Sequence, residues 1–395
     1  MARTIQLMYR IAAHFLDWRK PELIISEDSM AILAKLLKDK NLRPVLIVTD
    51  KKIMAMGLLD HLLNQLKKKD IAYIIFDETV PNPTIENIEV ARKRYIENEC
   101  KAIIGFGGGS AIDCAKGVGA RIARPKKSIP QMKGQLKVGK KTPPIIAIPT
   151  TAGTGSEATL AAVVTNPKTQ EKYAINDVHL IPSYAIHDPL LTVKLPAQLT
   201  ATTGMDALTH AVEAYIGKSN TKETKKYAIK AVKLIFEHLE EAYFNPSNME
   251  ARSKMLKASY YAGLAFTRAY VGNVHAIAHT FGGFYNVPHG LANAIILPYV
   301  LTYYGKKVDK QLSELADLVD IRPQGKQKKS QAFIEEIKKM NTRMKIANKI
   351  EIDSKEQIAN MVERAYQEAN PLYPVPKILS KKDFTNLYNQ IIKIK

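Results

Sequence analysis

AIIGFGGGSAID, residues 102–113, decides the fold. Ala102–Phe106 is an apolar, β-branched run of strand length, and the glycines after it lead straight into a helical pattern. Residues without Cβ let a backbone approach a pyrophosphate, whose charge is met by amide N–H groups and by the positive end of the next helix. Gly107, Gly108 and Gly109 are therefore candidate phosphate contacts. Ser110 is expected to cap the helix, with Asp113 completing a capping box; a cofactor contact is the other reading of both. The turn departs from the G-x-G-x-x-G fingerprint, since Ser110 replaces the third glycine and the motif follows a third strand.

Strand candidates lie on both sides: Val45–Asp50, Ala72–Asp77, Ile145–Pro149, Ala161–Thr165 and Tyr184–Ile186, with helical patterns between the earlier ones. That alternation predicts a parallel sheet flanked by helices. A second loop, PTTAGTGSE at 149–157, again follows a strand and offers Thr150, Thr151 and Thr154 as hydroxyl partners for a nucleotide. Asp50 ends a strand, where a carboxylate accepts both hydroxyls of an adenosine ribose and repels a 2′-phosphate, so NAD is expected over NADP; the alternative is an ordinary helix N-cap. Asn82 in VPNPT is a candidate cofactor contact, with a plain turn residue as the alternative, and Lys172 is a cation available to phosphate or ribose, with an ordinary surface lysine as the alternative.

Beyond about Leu195 the periodicity becomes helical, as in Thr221–Tyr243, Ala251–Arg268 and Lys355–Glu368, and Arg322–Gln331 reads as an exposed linker. A boundary near Pro189–Pro196 divides the chain into domains at 1–195 and 196–395. The second half holds Asp206 and His210, then His275 and His279, each pair four apart and so on one helix face, followed by Pro288-His289-Gly290. That is metal-ligand spacing, and imidazoles with one carboxylate suit iron or zinc better than magnesium or calcium.

The chain has 395 residues, an apolar fraction of 46% and a net charge of +20. Its lysines are scattered over polar helix faces with no nucleic-acid recognition pattern, and the denser stretch Arg121–Lys141 is expected to be a long exposed loop. Two cysteines, Cys100 and Cys114, exclude a disulfide framework. With no secretory leader and no apolar run of spanning length, a cytoplasmic protein with neither membrane nor nucleic-acid partner is expected.

In VPNPT (80–84), GGGSAID (107–113), PTTAGTGSE (149–157), TTGMDALTHAVEAY (202–215) and HAIAHTFGGFYNVPHGLANAIILP (275–298), the chain resembles the iron-containing (group III) alcohol dehydrogenases over nearly its whole length. The resemblance implies a Rossmann-like α/β N-terminal domain and an all-α C-terminal domain, the dehydroquinate synthase-like architecture. It also implies NAD(P) and a divalent metal, Fe2+ or alternatively Zn2+, in a homo-oligomer. The family's ligands fall on Asp206, His210, His275 and His289, and His279 matches a histidine near the nicotinamide, the candidate for proton relay. Asp50, Gly107, Gly108, Ser110, Asp113, Thr150, Thr151, Thr154 and Lys172 match its cofactor contacts. Ala111 departs from a frequent proline, and Trp18–Glu22 is unlike the usual strand opening. The implied reaction is hydride exchange between NAD(H) and a small alcohol or aldehyde. The rivals are a glycerol dehydrogenase-like polyol oxidoreductase, a dehydroquinate synthase-like enzyme, and a nucleic-acid or polyanion binder. Phe266, Tyr270 and Phe281 are candidate apolar lining of the substrate pocket, with a place in the core as the more frequent reading of such residues.

Overall fold

The computed structural model describes residues 2–12, 16–26, 28–169 and 171–394. Contacts group them into an α/β unit, Asp17–Lys194, and a helical unit, Leu195–Lys395, which also includes the opening helix Ala2–Ala12.

The strands of the α/β unit are β1 (Glu22–Ile25), β2 (Val45–Val48), β3 (Tyr73–Phe76), β4 (Ala102–Gly107), β5 (Gly134–Gln135), β6 (Ile145–Pro149), β7 (Ala161–Asn166), β8 (Glu171–Asn176) and β9 (Tyr184–His187). Six of them form a parallel sheet in the order β1-β9-β6-β4-β2-β3. Its middle strands β2, β4 and β6 are buried throughout, which is why they read as unbroken apolar runs rather than alternating ones. Successive side chains still separate by face: Val45, Ile47, Ile104 and Phe106 join one apolar core, and Leu46, Val48 and Ile103 the other. β7 and β8 pair antiparallel and β5 joins β8 in parallel, making a second, small sheet.

In the helical unit, the helices Lys222–Phe244, Met249–Ala269 and Ile358–Ala369 lie where the periodicity puts them. The helices that matter for function are Ala197–Ile216, Asn273–Tyr285 and His289–Tyr304.

Four expectations need correction, and one segment on which no expectation was placed, Glu22–Ile25, proves ordered. The opening residues do not belong to the first domain: Gln6 Nε2 donates to the Pro371 and Tyr373 carbonyls at 2.9 and 2.7 Å, tying that helix to the far end of the chain. Despite its unusual lead-in, Glu22–Ile25 is a strand, a short edge strand paired, among the described residues, with β9 alone. Arg121–Lys141 is a bonded excursion rather than an exposed loop, because Arg121 pairs with Glu89 and donates to the carbonyls of Arg124, Pro125 and Lys127, while Ile129, Met132 and Val138 are fully buried. The linker after Arg322 ends early, where a helix starts at Lys329. The helical half also carries two short parallel strands, Ile350–Ile352 and Ile392–Ile394.

Candidate metal centre and cofactor cradle

The helix Ala197–Ile216 presents Asp206, His210 and Glu213 along one stripe, since positions four and seven apart share a face. His275 comes from the helix Asn273–Tyr285, and His289 opens the helix His289–Tyr304. Gly290 permits the approach of the last of these, because a Cβ there would stand 2.6 Å from the Thr202 carbonyl oxygen. As a result one ligand atom from each of Asp206, His210, His275 and His289 lies within 4.8 Å of all the others. The first three side chains are buried and His289 is half-buried.

The electrostatics suit a cation. Burial, reinforced by His210, His289 and His279, holds His275 well below the usual imidazole range, so it is neutral. Its Nδ1 donates to Glu213 Oε2 at 2.6 Å, which leaves the Nε2 lone pair for the cluster. Three imidazoles and one carboxylate, in a cluster of this size, fit a divalent transition metal. His279 lies outside the four-residue group: its ring stacks on His289 at 5.1 Å, and its Nδ1 donates to Glu368 Oε1 at 2.6 Å. Phe266 stacks on His210 at 4.1 Å, whereas Phe281 is fully buried against Tyr388 and belongs to the core, the alternative reading of that residue.

In the α/β unit, the helix Gly109–Ala123 begins immediately after Gly108, which is its N-cap and supplies no capping side chain. The expected capping box is therefore absent. Ser110 lies inside the first turn, its Oγ accepting from Asn82 N at 3.2 Å, and Asp113 bonds elsewhere, to Ser156 Oγ at 2.6 Å and Val163 N at 3.1 Å. A first turn free of side-chain capping leaves its amides for an anion. Thr151 packs beside Gly108, and a Cβ at Gly109 would lie 3.0 Å from Thr154 Cγ2, so loop and helix start form one narrow cradle. Thr150 N donates to Gly107 O at 3.0 Å and holds the two strand ends together. Asp50 is an N-cap: Oδ1 accepts from Lys52 N and Ile53 N, while Oδ2 lies on the side of Gly107. Lys172 Nζ donates to Asn82 Oδ1 at 2.6 Å, joining the two outlying candidates.

The sequence pattern of iron-containing alcohol dehydrogenases matches residues 21–189, and that of the C-terminal part of the same family matches residues 200–392. The 1,3-propanediol dehydrogenase of Klebsiella pneumoniae is 42% identical over 279 residues, which cover 70% of this chain and 72% of that protein. The NAD-dependent methanol dehydrogenase of Bacillus methanolicus is 36% identical over 299 residues, covering 76% and 78%. A solved structure of a 1,3-propanediol oxidoreductase superposes with a TM-score of 0.90 at 33% identity, covering 95% of this chain and 100% of that one. The chain belongs to the iron-containing alcohol dehydrogenase family. It is an alcohol dehydrogenase.

Three residues of this alcohol dehydrogenase support the sites yet were not singled out from the sequence. Glu213 is buried, with a carboxyl pushed up to about 7 by burial against the opposing amide bonds. It accepts from Gly272 N and Val274 N, both at 2.8 Å, as well as from His275, and so fixes the start of the second ligand helix. Its signal was its place on the Asp206–His210 stripe. Asn293, fully buried, lies four residues after His289, and its Nδ2 donates to Asp206 Oδ1 at 2.6 Å and stands 3.1 Å from Nε2 of both His275 and His289. The third is Lys116, an ammonium inside the apolar face of the glycine helix.

Proposed function

We propose that the chain interconverts short primary alcohols and aldehydes, using NAD(H) in preference to NADP(H), with Fe2+ held by Asp206, His210, His275 and His289. The observation that carries this reading is the convergence of those four ligand atoms within 4.8 Å. When bound, the ion supplies Lewis acidity at the substrate oxygen and the nicotinamide takes or gives the hydride. Glu213 keeps His275 in the tautomer whose Nε2 is a ligand. His279 takes the hydroxyl proton at Nε2, and Glu368, accepting from Nδ1 at 2.6 Å, stabilises the imidazolium that forms.

The glycine turn and Thr150, Thr151 and Thr154 would receive the pyrophosphate, with Ser110, Asp113, Asn82 and Lys172 around them. Asp50 Oδ2 disfavours a 2′-phosphate by charge and is the basis of the NAD preference. Zn2+ is the alternative ion, since both metals accept this donor set. A short diol is the second substrate reading, supported by the 1,3-propanediol dehydrogenases among the relatives. The proposal includes a cytoplasmic homo-oligomer, and two buried free cysteines fit a reducing compartment.

An anaerobic NADH-oxidation assay across short aldehydes, with Fe2+, Zn2+ or no metal added, tests the proposal. It expects metal-dependent oxidation, strongest with Fe2+ and weaker with NADPH. Equal rates without metal would overturn it.

A further inference from the structure

Lys116 projects from the third turn of the helix Gly109–Ala123 and is fully buried. Its Nζ lies 2.6 Å from Ser156 O, 3.0 Å from Ser156 Oγ, 2.9 Å from both Thr159 O and Thr159 Oγ1, and 2.8 Å from Ala161 O. An ammonium has three N–H groups, so five oxygens exceed what it can satisfy singly. A shell of carbonyls and hydroxyls closing on one positive charge is how a protein replaces the hydration of an inorganic cation. Asp113 and Glu157 lie near enough to favour the charged form against the burial that pushes Lys116 down to about 8.

The cage belongs to the end of the threonine-rich loop, at Ser156, and to the residues that follow it, Thr159 and Ala161. Ser156, two of whose oxygens face Lys116, also donates through Oγ to Asp113 Oδ1 at 2.6 Å. Its N donates to Thr154 Oγ1 at 3.3 Å, and Thr154 is the side chain packed over Gly109. A continuous series of contacts thus runs from the buried ammonium through Ser156 and Thr154 to the first turn of the same helix. Lys116 and Asp113, three apart on that helix, grip the loop from beneath.

We infer that Lys116 is a positioning residue, a tethered cation whose five-oxygen cage locks the threonine-rich loop onto the glycine helix in the shape that receives the dinucleotide. The inference rests on the cofactor site proposed above and adds to it a residue that touches neither cofactor nor substrate.

The test uses the metal-loaded, full-length enzyme and its Lys116→Ala variant in potassium, n-propylammonium or choline chloride. NADH affinity is read by fluorescence, bound metal by mass spectrometry and amide exchange over residues 150–161. Lys116→Ala is expected to weaken NADH binding about tenfold or more and to speed exchange in that segment, with metal per chain unchanged. n-Propylammonium, which refills the cage, restores most of the affinity, and choline, too large to enter, restores none. Thr159→Val removes one cage hydroxyl while keeping Lys116; it shifts affinity in the same direction by about threefold and serves if Lys116→Ala does not fold. A folded Lys116→Ala that binds NADH within about twofold of wild type with unchanged exchange overturns the inference, as does a loss that no cation reverses. Failure of the wild-type enzyme itself to bind NADH would refute the functional reading instead, and exchange over residues 150–161 would then decide whether Lys116 locks the loop.

Discussion

The metal cluster of the helical unit and the cradle of the α/β unit are built by opposite means. Asp206 and His210 project from the interior of one helix, spaced by the α-helical period, while His275 stands in the first turn of a second helix and His289 at the first position of a third. Thr150, Thr151 and Thr154 stand on a loop, and their positions depend on buried partners remote in sequence, namely Lys116, Asp113 and the first turn of the glycine helix. A side-chain site on rigid elements specifies itself, whereas a backbone site must be pinned from inside. The two should therefore fail separately.

The largest expected effect is that of His275→Ala, which removes a ligand outright: stoichiometric metal is lost and turnover falls by about a thousandfold or more, while NADH binding is kept. Parallel loss of NADH binding would break the proposed separation. Next is His279→Ala, expected to lower turnover by about a hundredfold with metal content intact. Full metal loss there would make His279 a ligand. Glu213→Gln leaves all four ligands but upsets the bonds to His275 and the two amides, so metal affinity in a competition titration should fall by about tenfold to a hundredfold. An unchanged affinity would mean that the helices alone orient His275. The smallest effect belongs to Gly109→Ala, whose Cβ would press on Thr154 at 3.0 Å. It should weaken NADH binding about fivefold and leave metal affinity alone.

The same contrast explains what could be read in the sequence. Spacing of four brought out Asp206 with His210, and unbroken apolar runs brought out β2, β4 and β6, because both signals are local and periodic. Glu213 carried a periodic signal too, but seven residues from Asp206 it reads equally as a solvated acid. Ser110 was misread because the capping box is a purely local pattern, while the helix starts after Gly108 and Asp113 is drawn to Ser156 and Val163, far along the chain. Lys116 gave only the hint of a charge inside an apolar face, since its five partners span residues 156–161. Glu22–Ile25 was hidden by the short length of an edge strand, whose pairing with β9 is with a segment more than 150 residues away.

The most direct measurement is iron K-edge X-ray absorption on enzyme loaded anaerobically with one Fe2+ per chain. Nitrogen and oxygen ligands with outer-shell scattering from three imidazoles are predicted, dropping to two in His289→Ala. A spectrum without imidazole scattering, or one that His289→Ala leaves unchanged, would contradict the assignment of Asp206, His210, His275 and His289 to a single ion.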